Sequence, residues 1–88
     1  MDKYTEFIHL PDLLFNQLCI KQFGINRGVY NTIDEWFFEN GIKNILERRQ
    51  RIFHFLVWYI QSGLATNGNI KFGHGNLSKK LREYSECN

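Results

Sequence analysis

Three arginines, Arg48, Arg49 and Arg51, run directly into the stretch Ile52 to Ile60, IFHFLVWYI, where His54 alone is neither apolar nor aromatic. Guanidinium groups bind phosphate oxygens in a fixed fork, and flat rings stack on nucleobases or anchor protein interfaces. A cationic face that continues into an aromatic one therefore suits phosphates, stacked bases or an acidic protein partner. On a helix, Arg48, Arg51, Phe55 and Trp58 follow one another at spacings of three or four and share a face, with Tyr59 alongside. These five are the primary contact candidates. Lys79, Lys80 and Arg82 form a secondary basic patch nearer the C-terminus.

These residues need a scaffold, and composition bounds what it can be. The chain has 88 residues, 43% of them hydrophobic and 16% aromatic, with one proline. That is the make-up of one small folded domain with a single core, not of a disordered segment. A net charge of +2 is well short of what coats nucleic acid by charge alone, so any electrostatic contact must come from local clustering. Cys19 and Cys87 sit in unrelated settings and form neither a ligand pair nor a disulfide framework, which favours a reduced, cytoplasmic location. The start, MDKYTEFIHL, has an acidic second residue and no long apolar stretch, against a signal peptide. The longest apolar run is about half of what a membrane helix needs, against membrane insertion.

The apolar spacing predicts an all-α bundle of about four helices. Pro11 and Asp12 suit a first turn and Gly24 a stop, with Leu14, Leu18 and Cys19, and Phe15 and Phe23 nearby, as the apolar face. The segment INRGVYN reads as a turn, and Thr32 with Glu35 as a capping box opening a short helix whose Ile33, Trp36 and Phe37 share one face. Gly41 ends or kinks it. A long central helix is expected from about Ile42 to Ser62, although residues 52–60 are rich in β-forming types, and periodicity alone does not separate a strand from a helix buried on all sides. Residues 64–76 read as a loop with at most a short extended piece near residues 70–72. Asn76 or Ser78 then caps a last helix whose Leu77, Leu81 and Tyr84 face inward.

Two stretches carry resemblances. QLCIKQFGINRGVYNTIDEW looks like a helix-turn-helix, with Gly24 at the turn, Cys19, Phe23 and Ile25 as packing positions and Ile33 on the second helix. The resemblance implies DNA binding in the major groove, with Arg27, Tyr30 and Asn31 beside the groove. Ile20 departs from the small residue of that pattern, and Asp34 and Glu35 lie where phosphates would be. Arg49-Gln50-Arg51-Ile52-Phe53-His54 resembles the arginine, polar residue, three residues, histidine motif of HEPN-type ribonucleases. What that implies is metal-independent RNA cleavage, with His54 in acid–base work and Arg49 on the phosphate. Residues five apart on an unbroken helix point about 140° away from each other, so the two converge only if the helix starts there or a second subunit completes the site.

Other chemistry is thinly represented. Gly73-His74-Gly75-Asn76 precedes a helix bearing Lys79 and Lys80, but lacks the spacing of a phosphate loop. His9, His54 and His74 are scattered, and no HxxxH or CxxC occurs, so neither a metal nor a cofactor is implied. Abundant Phe, Tyr, Ile, Asn and Lys suggest AT-rich coding DNA, a bias common in phages and mobile elements. Together these features point to a small non-catalytic binding protein that inhibits a host protein or nucleoprotein complex, as anti-CRISPR proteins and other host-takeover inhibitors do. Direct contact with DNA or RNA is one form of this reading, and a homodimer would be one way to complete a site. The alternatives are the DNA-binding regulator and the ribonuclease toxin.

Overall fold

A computed structural model of the chain describes residues 7–62 and 76–87. A short 3-10 turn (Phe7–His9) leads into α1 (Asp12–Phe23), α2 (Arg27–Glu39), α3 (Ile45–Gln61) and α4 (Asn76–Cys87), with no strand among the described residues. The extended piece expected near residues 70–72, and Gly73 to Gly75, lie outside the described residues.

The polar signals at the ends explain where each helix begins and stops. Gly24 closes α1 in the left-handed region, φ 72°, and donates its N–H to the Ile20 carbonyl at 3.0 Å. Only Ile25 and Asn26 then separate it from α2. The Asn26 side chain accepts from the Val29 N–H at 2.8 Å, so α2 starts at Arg27 and not near Ile33. The expected Thr32–Glu35 capping box does not form, because Thr32 lies inside the helix and donates to the Gly28 carbonyl at 2.9 Å. Gly28 belongs to this cap: a Cβ there would come within 3.2 Å of the Asn26 Oδ1 that accepts the bond. At the far end, Gly41 has φ 100°. Ile42 N–H reaches the Phe37 carbonyl at 3.0 Å and Gly41 N–H that of Phe38 at 3.2 Å, a Schellman closure. Asn44 caps α3 by accepting from the Glu47 N–H at 3.0 Å.

Helix α3 is the hub, which is why residues 52–60 show no alternation. Side chains two apart on a helix point about 200° from each other, so Phe53 and Phe55 enter different layers. Phe53 meets Phe15 edge-on with ring centroids 5.2 Å apart, and Phe23 and Phe7 at 5.6 and 5.9 Å. Phe55 meets Tyr84 of α4 at 5.6 Å, and Tyr84 meets Phe37 of α2 at 6.2 Å. Ile33, Ile52, Leu56 and Leu81 fill the space between at full burial. Leu14, expected on the buried face of α1, is 50% exposed instead; the stripe that turns inward is Phe15, Cys19 and Phe23, spaced by four.

Burial has an acid–base consequence. It pushes the Cys19 thiol from the ordinary 9.0 to about 12, against a smaller opposing pull from Arg49. It also raises the hydroxyls of Tyr30 and Tyr84, the latter partly offset by Arg51. The folded state therefore holds these protons more tightly than the unfolded chain. Their contribution to stability is complete below about pH 9 and disappears as pH climbs toward about 12. In a series of denaturation curves, the midpoint should stay flat from about pH 7 to 9 and fall above it, with a shallower fall in Cys19→Ala. A midpoint unchanged at about pH 11 would show that these groups titrate freely in the folded protein.

Candidate functional site

The arginine and aromatic ladder of α3 turns inward rather than out. Phe55 is fully buried and Tyr59 only 4% exposed, so neither is a contact surface. Trp58 is half-buried, stacked on Phe55 at 6.0 Å and edge-on to Tyr84 at 5.6 Å. Arg51, also half-buried, lies close enough to the Tyr84 hydroxyl to favour its ionised form against the effect of burial. This face is the seam between α3 and α4. On α4, Lys79 and Arg82 are exposed, whereas Lys80 pairs with Glu83 at 3.1 Å.

Arg49 does not offer its guanidinium to a phosphate. The side chain is 6% exposed and lies over the Phe15 ring, 5.1 Å from its centroid. Nη1 donates to the carbonyls of Ile8 at 2.7 Å and Leu10 at 2.5 Å, and Nη2 to the Asp12 carboxylate. A buried cation without such acceptors would be costly, so these partners account for its presence in the interior. Half-buried His54, five residues on along the unbroken α3, points about 140° away from Arg49. In the helix-turn-helix segment, Cys19, Phe23, Ile25 and Ile33 pack as expected, and Arg27 and Asn31 are exposed, but Tyr30 is buried.

An exposed site forms elsewhere, at the corner between α2 and α3. Phe38 is 45% exposed and Ile45 43%. The Lys43 ammonium stands 3.7 Å from the centroid of the Phe38 ring and the Arg48 guanidinium 5.3 Å from it. Arg48 itself is fixed: Nε donates to Asp34 at 2.6 Å, and Nη1 to the carbonyls of Ile42 and Lys43, each at 3.2 Å. Of this group only Arg48 stood out in the sequence. Phe38 lies one position beyond the buried Phe37, and Lys43 reaches it only because Gly41 reverses the chain.

Behind the corner, Arg48 and Arg49 form one wall of a polar cleft of about 240 Å³ between α1, α2 and α3. Asp12 and Asn16 of α1 and Tyr30, Asn31 and Asp34 of α2 line the rest. Asn16 Oδ1 is buried and accepts no hydrogen bond from the described residues. No group of histidine, cysteine, aspartate or glutamate able to hold a metal occurs among the described residues. No described helix is long and apolar enough to cross a membrane.

No protein-family model matches the chain, and no solved structure matches it. Over 78 residues, 88% of its length, the chain is 42% identical to the RNA-binding riboflavin kinase RibR of Bacillus subtilis (strain 168). It spans about a third of that relative, 34% of its length. This similarity overturns the expectation of a phage-borne inhibitor of a host complex: the similar protein is bacterial, and its name gives RNA binding and a kinase.

Arg49 is thus a brace, and its removal should be felt in stability. Arg49→Ala should cost on the order of 3 kcal/mol, since it strands two backbone carbonyls and opens a space over Phe15. Asp12→Asn should cost under about 1 kcal/mol, because that carboxylate is largely in water. Chemical denaturation of the three chains measures both; an Arg49→Ala loss no larger than that of Asp12→Asn would remove the brace.

Proposed function

We propose that this chain is a non-catalytic RNA-binding module that engages single-stranded RNA through the α2–α3 corner. The observation carrying this reading is the half-exposed Phe38 ring flanked by Lys43 and Arg48. An exposed ring stacks an unpaired base whatever its identity, and adjacent cations take the phosphates on either side. The Lys43 ammonium covers part of the ring and can swing to a phosphate, while Arg48 stays in place on Asp34. The similarity to a protein named for RNA binding supports the same reading.

That relative's name also carries a kinase, and this chain spans about a third of the relative's length.

Fluorescence anisotropy of a labelled single-stranded RNA, at low and moderate salt, tests the proposal. Phe38→Ala should weaken binding about tenfold through lost stacking. Lys43→Ala should reduce the slope of log affinity against log salt by about 0.7, the share of one phosphate contact on a single strand. Neither residue is in the core, so circular dichroism should be unchanged. Wild-type affinity and slope in both variants would rule out the corner as the interface.

A further inference from the structure

We infer that Lys43 is a specificity-determining cap on the Phe38 ring, which it yields only to a base that arrives with a phosphate. The corner then takes nucleotides within a strand and discriminates against uncharged aromatic compounds. The inference rests on the RNA-binding reading and deepens it.

Two cations stand over one ring, and they differ in freedom. The Arg48 side chain is 11% exposed, and its Nε and Nη1 are held by Asp34 and by the carbonyls of Ile42 and Lys43. It stays where it is, 5.3 Å from the ring centroid. Lys43 is exposed, and its ammonium pairs with no carboxylate among the described residues. Its contact is the ring itself, at 3.7 Å. Arg48 also pins the Lys43 carbonyl at 3.2 Å, so the root of the side chain is fixed while its four-carbon stem turns, as exposed side chains do within nanoseconds.

That ammonium occupies the layer a base would need. Flat groups in contact lie about 3.5 to 4.0 Å apart. An ammonium at 3.7 Å and a stacked base therefore exclude each other on that face. A base must displace the cap and forfeit a cation–ring attraction, which at an exposed site amounts to about threefold in an equilibrium constant. A base in a strand brings phosphates beside it, and the departing ammonium can pair with one. A neutral ring brings nothing in exchange. The same lysine thus opposes one class of ligand and favours the other, a discrimination achieved partly by obstruction.

The experiment follows the Lys43 side-chain methylene protons by NMR in the full chain. In the free protein the Phe38 ring should shift them upfield of ordinary lysine, and Phe38→Ala should abolish the shift. Saturating oligouridine should return them to the ordinary position, and so should uridine 3′,5′-bisphosphate, whereas uridine at the same concentration as the bisphosphate should leave them upfield. In anisotropy with labelled oligouridine, Lys43→Ala should bind about threefold more weakly than wild type at about 0.03 M salt and about threefold more tightly at about 0.6 M, since one phosphate contact changes the ratio about eightfold over that range. Protons that stay upfield at saturating oligouridine, or that uridine moves as readily as the bisphosphate does, would overturn the cap and leave the RNA-binding reading intact. So would a Lys43→Ala chain that binds more weakly at every salt concentration. Absence of oligouridine binding by the wild-type chain would overturn both.

Discussion

Two adjacent arginines pointing in different directions hold this bundle's three principal helices in register. Successive side chains on a helix diverge by about 100°, so Arg49 reaches the segment before α1 while Arg48 reaches α2. Arg49 joins the carbonyls of Ile8 and Leu10 and the Asp12 carboxylate to α3, and Arg48 joins Asp34 and the α2–α3 turn to it. Both are satisfied by acceptors that exist only in the folded chain. The polar cleft is the space left between the two ion pairs, and the stacking corner is where Arg48 emerges from it. Stability and the proposed recognition thus meet at Arg48.

How much of this was legible in the sequence depends on what each residue signals locally. Helix count, the stops at Gly24 and Gly41, and the inward placement of Leu81 and Tyr84 follow from periodicity and capping chemistry, which act within one turn. The start of α2 did not follow. Thr32 and Glu35 satisfy a capping pattern, but Asn26 offers an earlier cap and Gly28 leaves it room. Nor could periodicity show which face of α3 meets solvent. The second half of α3, residues 52–60, is apolar nearly all round, so Phe55 and Tyr59 looked like an outward ladder while lying in the core.

The residues of the proposed site were harder to find for a related reason. Phe38 and Lys43 are ordinary in sequence and become a site only when the Gly41 turn folds α3 back on the end of α2. Arg49 and His54 form a motif-like pair on paper, yet the interior claims the arginine. A guanidinium beside apolar residues has two destinies, a phosphate outside or carbonyls inside, and only the fold decides between them. The similarity to part of a bacterial RNA-binding protein fits a small helical module of this kind, set beside other activities in a longer chain.

The most direct test is to record amide NMR spectra of the isotope-labelled chain during titration with a single-stranded RNA. Recognition at the α2–α3 corner requires shift changes concentrated between Phe38 and Arg48. Changes confined to α4 around Lys79 and Arg82, or no changes at all at saturating RNA, would show that the corner is not where this protein meets its ligand.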